Sequence, residues 1–557
     1  MKNYIDIMEK VLEAYTVEQI RNYTGTVEEN MISEHGFPRL CANIGILVSN
    51  GRKTELKEDF IHMMNLCCEQ IPFARAKNGG TVGNDFSVKE IVFCLLEAEK
   101  SGLFSKELTD KWRNDLSKIN PYDTYTRIAP IPAEPVNNWA AFGAASEQLR
   151  KYAGIGDESA FIENQVKSQL FSFDENGMYR DPHEPMVYDA VTRLQLATLL
   201  YFGYNGKFKD KLEEHFIKSA DITLEMQSVT GEIPYGGRSN QFLHNEAFYA
   251  ALCEFYAGFF KKRGDYEKAG LFKYAAQKAV DYLVPWLQRE NVTHIKNNYP
   301  ADSGYGCEGY AYFDKYMITT GSWLYLAYAM CDDKINAVEP PKKYRNFVSE
   351  TSEHFHKVLL RYGDYYAEYD TNADYHYDAT GLGRIHKKGI PSVLCLTSPI
   401  TAHSNYKLDI ENSTDFSICA GIKTENGFEY AHDGKTKYTL TSKGVTEHCS
   451  YAVFECTRED GSSYTETLTL SDEGAKLTVK GKGKFAITFP AFLYDGKTET
   501  SVTQTENSLS VTYNGYICTY IADGKITDRN IIAANRNGHY KLYIAEGEKE
   551  ITLEIKM

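Results

Sequence analysis

The chain has 557 residues, 43% hydrophobic and 25% charged, a globular composition with length enough for several domains. Its formal net charge of −15 argues against nucleic acid as a partner, although local arginines can still hold an anion. No segment is long and apolar enough to span a membrane, and Met1–Glu9 carries acids where a signal peptide needs an apolar run.

Twelve cysteines are scattered singly apart from Cys67-Cys68, with no zinc-type spacing. The expected setting is therefore a soluble, reducing compartment such as the cytoplasm, with export after leader removal also compatible. No cofactor or metal is called for, though loop acids are compatible with calcium. The chain holds 41 Tyr and 28 Phe. Sugar-binding clefts favour such side chains, but most of these are expected to pack between elements.

To about residue 335 the pattern is helical. Val88–Glu97, Tyr188–Phe202, Phe242–Phe260 and Tyr316–Met330 carry apolar residues at helical spacing, several around most of the circumference. Repeated helical hairpins with buried inner members predict an (α/α)6-type toroid over residues 1–338. An open solenoid would show a repeat signature, and none is visible. One further amphipathic stretch, Tyr344–Leu360, is expected as a leading helical linker. Alternation then takes over, as in Tyr464–Leu470, Ala475–Val479 and Ile551–Ile555. Asn514-Gly515 sits between two short strands as a hairpin turn. Residues 339–557 are expected to form an antiparallel β-sandwich.

Five polar clusters precede inner-type helices. In Gly79–Ser87, Asp85 lies near a helix start, where it is either a catalytic acid or a simple cap. In Pro135–Trp139, Asn138 and Trp139 either pair a donor with a sugar-stacking ring or form an N-cap beside a core Trp. Asp174–Asp189 gathers Asp181, His183, Tyr188 and Asp189, and reads as solvated loop or as pocket rim. Pro234–Glu246 holds Tyr235, Arg238, Asn240, His244 and Glu246 behind a glycine pair. Asp302–Tyr316 contributes Tyr310 and Asp314. In a toroid, alternate connections share one face, so these clusters are expected to ring one funnel. A basic stretch in the second half, Tyr377–Gly389, is either a flap over an anionic sugar or an ordinary loop.

At these motifs the chain resembles toroid-plus-sandwich carbohydrate enzymes. Gly237-Arg238-Ser239 and Asp314-Lys315-Tyr316 look like motifs of a bacterial family of unknown function, related in style to glycoside hydrolase family 154, exo-acting β-glucuronidases. Asn138-Trp139, Tyr188 and Arg238 are also similar to the Asn-Trp, Tyr and Arg set of chondroitin- and hyaluronan-type polysaccharide lyases. His183 stands nearer to Tyr188 than the lyase His stands to its Tyr.

Three functions follow in order. The first is an exo-acting hydrolase of uronic-acid oligosaccharides, with catalytic carboxylates drawn from Asp85, Asp181, Asp189, Glu246 and Asp314 and with Arg238 on the uronate carboxylate. The second is a lyase acting by β-elimination through Asn138, His183 or His244, Tyr188 and Arg238. The third is a non-catalytic glycan binder. In all three, Asn138, Trp139, Tyr235, Arg238, Asn240, Tyr310 and His183 are expected to contact sugar.

Overall fold

The computed structural model describes residues 4–23, 32, 34–73, 83–183, 185–411 and 413–557. The Gly79–Val82 part of the first cluster, and Glu184 of the third, lie outside the described residues.

The first half is a closed ring of paired helices. Gly36–Ser49, Asn84–Ser101, Trp139–Tyr152, Met186–Tyr201, His244–Lys262 and Phe313–Met330 form the inner layer, each packed on the next, and the last returns to the first. Their sequences explain the placement. Gly36–Ser49 and His244–Lys262 are buried along nearly their whole length, so neither has a solvent face. The outer helices are amphipathic by comparison. Lys106–Leu116 turns Trp112 and Leu116 inward and leaves most of its charges in water. Tyr4–Leu12, Lys57–Gln70, Ser159–Gln169 and Tyr266–Leu287 back the ring in the same way. This is the expected (α/α)6-type toroid.

The second half is built from antiparallel sheets. Strands β1 (Asn346–Glu350), β2 (Lys357–Tyr362), β3 (Tyr365–Asp370) and β4 (Gly381–Lys387) form a four-stranded sheet in sequence order. It packs on an eleven-stranded sheet around one apolar core that includes Leu360, Tyr369, Leu382, Phe454, Leu468 and Leu477. The long strands Gly474–Tyr494 and His539–Lys556 pair along most of their length, with irregularities between Lys480 and Lys484 and between Phe492 and Tyr494. Asn514 and Gly515 both have positive φ (50° and 83°), which makes the expected tight hairpin turn between Tyr513 and Tyr516.

Two expectations are corrected. The Tyr344–Leu360 stretch is helical only at its start, in Lys342–Arg345, and then becomes β1 and most of β2. Its spaced apolar residues pair across strands instead of lining a helix, with Phe347 opposite Arg361 and Val348 opposite Leu360. The basic Tyr377–Gly389 stretch is not a flap. Its centre is the buried strand β4, at the end of the four-stranded sheet beside β3, and Arg384 and His386 are buried against the toroid.

That contact unites the two halves. The Arg384 guanidinium donates to the Ile233 carbonyl (2.7 Å), and His386 Nδ1 meets Ser228 Oγ (2.7 Å). The Lys357 ammonium lies 3.3 Å from the centroid of the Tyr235 ring. Farther along, Arg536 donates to the Gly306 carbonyl (2.6 Å), and Asn537 to that of Lys296 (3.0 Å). The sandwich thereby braces the toroid connections that carry the fourth and fifth sequence clusters.

Candidate active site

A cavity of about 540 Å³ opens at the N-terminal ends of the inner helices. Its wall includes six of the expected residues: Asn138, Trp139, Tyr188, Arg238, His244 and Tyr310. They come from four connections far apart in sequence, as a shared toroid face requires.

Asp181 joins two of these connections. One carboxylate oxygen accepts the Asn138 backbone N–H (3.3 Å), and the other pairs with Arg238 Nη2. Burial pushes this carboxyl up to about 6, although the Arg238 charge pulls the other way. Asn138 occupies the N-cap position of Trp139–Tyr152, yet its side chain makes no capping bond, which leaves its amide for the cavity.

Arg238 is held on its other side by an aromatic face. Its guanidinium carbon lies 4.4 Å from the centroid of the Tyr188 ring. The Tyr188 hydroxyl is 3.1 Å from Ser239 Oγ, which is 2.8 Å from the Tyr310 hydroxyl. Three hydroxyls thus form a chain along the wall. Burial raises the Tyr188 phenol above its ordinary range, and the Arg238 charge is the largest opposing effect.

The backbone beneath this chain is strained and firmly held. Ser239 and Gln241 have φ of 58° and 60°, uncommon for residues with side chains. Gly237, at φ 69°, has no room for a side chain, because a Cβ there would fall 2.7 Å from Pro185 Cα. The sandwich supplies the restraint: Asp378 accepts the Gly237 N–H (2.7 Å), and the Tyr406 hydroxyl donates to the Gly237 carbonyl (2.7 Å). Glu308 accepts the Ser239 N–H and is itself paired with Arg536 (3.2 Å). Burial pushes the Asp378 carboxyl up to about 7.

His244 begins its helix with its ring near Phe242, Phe248 and Tyr316. Burial and then the Arg39 charge hold it well below the ordinary histidine range, so it is a neutral imidazole at pH 7. Trp139 packs edge-on against Phe86 at 4.9 Å.

The remaining expected residues lie elsewhere. Asp85 is buried, and its carboxylate accepts the backbone N–H groups of Thr126 and Arg127 (each 3.1 Å). Asp189 is sealed in an ion pair with Arg193, one turn on in the same helix (2.5 Å). Asp314 lines a separate cleft with Glu13 and Asp302. Glu246 is buried against Lys296 at 2.7 Å. Tyr235 is enclosed in the toroid–sandwich contact, Asn240 is buried beside Gln241, and His183 is exposed outside the cavity wall.

Other lining residues were not singled out from sequence. Arg39 is tied to Glu90 (3.1 Å) and Thr319 (2.8 Å). Glu34 pairs with Lys315 (3.2 Å) and accepts from the Tyr312 hydroxyl. It is the single carboxylate among the described residues of the wall. His35 and Trp323 also line the wall, as does Tyr316 of the Asp314-Lys315-Tyr316 motif. Behind the wall, Lys89 lies 4.9 Å from the Trp323 ring centroid and donates to Gln195 (2.7 Å). Burial pushes it down to about 7. A charged residue inside an otherwise apolar helix was the available signal for Arg39. Among the described residues no group of three or more His, Cys, Asp or Glu side chains is placed to hold a metal ion.

No protein-family model and no curated protein sequence matches the chain. Among solved structures it is similar to two of heparinase III. One alignment covers 99% of this chain and 84% of the other at 9% identity, with a TM-score of 0.51. The second covers 100% and 84% at 8% identity, also with a TM-score of 0.51. Similarity at this identity speaks to the toroid-plus-sandwich fold alone. It lends no support to the resemblance to glycoside hydrolase family 154.

Proposed function

We infer that this protein cleaves uronate-containing glycans by β-elimination. The observation that carries the reading is the make-up of the cavity wall. An amide, a phenol beneath a guanidinium and a neutral imidazole face the space, while the one carboxylate among the described lining residues is already engaged by Lys315 and Tyr312. Hydrolysis of a glycosidic bond usually needs two carboxyl groups, roughly 5–10 Å apart, around that bond. The positions of Asp85, Asp189 and Asp314 leave the hydrolase reading without such a pair in this cavity.

Elimination has other requirements. The uronate carboxylate must be neutralised so that the C5 proton becomes acidic, a base must remove that proton, and the leaving oxygen must be protonated. In this reading the Asn138 amide hydrogen-bonds the substrate carboxylate and stabilises the charge that develops on it. Tyr188 takes the C5 proton in the fraction present as phenolate, the form that the Arg238 charge stabilises against burial. The C4–O bond breaks, its electrons leave with the oxygen, and a C4=C5 double bond remains. The proton reaches the leaving oxygen from the Tyr188–Ser239–Tyr310 hydroxyl chain. Trp139 and Tyr316 offer faces for sugar rings.

The structural relatives are named as heparinases, so acidic glycans of that kind are among the first substrates to try. Elimination conjugates the new double bond with the carboxylate. Incubation with uronate polymers should therefore produce ultraviolet absorbance that grows with turnover. Cleavage without that absorbance would overturn the reading.

A further inference from the structure

A second, much smaller cavity lies at the toroid–sandwich seam and is lined by four cations: Lys278, Arg345, Arg361 and Lys388. Its volume is about 50 Å³. That is room for roughly three to four waters, the size of a sulfate or carboxylate group and too small for a sugar ring.

The cations are poorly matched by protein. Among the described residues the Arg361 guanidinium makes one long hydrogen bond, to the Gly363 carbonyl (3.4 Å). Among the described residues neither Arg361 nor Lys278 has an ion pair. The acids that line the cavity are largely committed or remote. Glu225 is turned to Ser349 Oγ (2.6 Å), Glu339 lies 3.7 Å from Lys388, and Asp364 is exposed. Burial lowers the Lys278 ammonium, and repulsion from Lys388 and Arg361 lowers it further. Burial also pushes Arg361 down to about 10, with Arg345 adding repulsion. Glu339 and Asp364 offset part of this repulsion, but Lys278 and Arg361 are half-buried with no ion pair among the described residues, and such cations are costly unless an anion joins them.

We propose that this seam cavity is an oxyanion site, taking a sulfate, phosphate or carboxylate group between Arg361 and Lys278, with Arg345 and Lys388 at its mouth. The site stands apart from the cavity at Tyr188 and does not depend on the elimination reading. It adjoins Gln227, Ser228 and Val229, where the connection bearing Arg238 begins. The oxyanion is either a free inorganic ion or a substituent of an acidic glycan.

Titration calorimetry of the whole chain with sodium sulfate, against sodium chloride at matched ionic strength, tests the proposal. Saturable sulfate binding is expected. Arg361→Gln and Lys278→Met should each weaken it about tenfold or more, by loss of a charge-assisted contact. If Arg361→Gln does not fold, Lys278→Met decides. A sulfated uronate oligosaccharide that competes with sulfate for this binding assigns the anion to a glycan, and lack of competition assigns it to the free ion. Either result keeps the site. No saturable binding in the wild type, or unchanged affinity in the folded variants, overturns it.

Discussion

Arg238 covers the ring of Tyr188 at 4.4 Å while its Nη2 is fixed to Asp181, so one guanidinium links a buried carboxylate to a phenol in the cavity. The Arg238 charge favours the phenolate, but burial is the larger effect and leaves the phenol above its ordinary range. If Tyr188 is the base, Tyr188→Phe should lower kcat by about 10²–10⁴-fold with little change in KM. The variant keeps the ring and its contact with Arg238, so its melting temperature should stay close to that of the wild type.

Arg238→Gln should slow turnover by about one to two orders of magnitude, the loss expected from a desolvated cation–π contact. It should also leave a signature that a purely structural defect would not. Without the guanidinium the Tyr188 phenol rises further, so the increase of rate with pH that reports its deprotonation should move to higher pH.

Asp181 sets a second loss of activity, at lower pH. Its carboxyl is pushed up to about 6, so protonation below that pH removes the anion that holds Arg238. Activity should fall as pH drops through about 6. In Asp181→Asn the low-pH limb should disappear, with activity lower throughout, as steady-state rates across pH would report.

Asn138→Ala should lower kcat by about 10²–10³-fold, the scale of losing one donor to a developing charge. Substrate whose uronate carboxylates have been reduced to alcohols should remain uncut by wild type and variant alike. Cleavage of the reduced polymer at the wild-type rate would remove Asn138 from its assigned part.

Asp378 couples the sandwich to this chemistry through the Gly237 N–H. Its folded-state carboxyl sits at about 7, above the ordinary 3.8, so the native state prefers it protonated. The stability associated with that preference is present at low pH and is lost as pH rises through about 7. Asp378→Asn keeps an acceptor for Gly237 and removes the charge. In urea unfolding, the variant should gain on the wild type between pH 5 and pH 8, whereas Asp378→Ala should weaken the brace and reduce kcat at both.

The toroid was readable because helices such as His244–Lys262 are apolar on nearly every face, which only an inner layer can satisfy. The rim was readable for the same topological reason, and it brought Asn138, Tyr188, Arg238, His244 and Tyr310 together. The acids were not. Asp85 and Asp189 sit at helix starts, where sequence cannot distinguish a catalytic carboxylate from one committed to Thr126 and Arg127 or to Arg193. Asp181 looked like one loop acid among several, and only the fold places Arg238 against it. Arg384 and His386 looked like a mobile basic loop. β4 is buried at six of its seven positions, so no inside–outside alternation marks it in the sequence.

The most direct test compares two products in one digest: reducing ends and conjugated double bonds released from a uronate polymer. The account predicts one ultraviolet-absorbing unsaturated uronate for every new reducing end, in wild type and, at a reduced rate, in Arg238→Gln. Reducing ends that accumulate with no matching chromophore would contradict it and return the chemistry to hydrolysis.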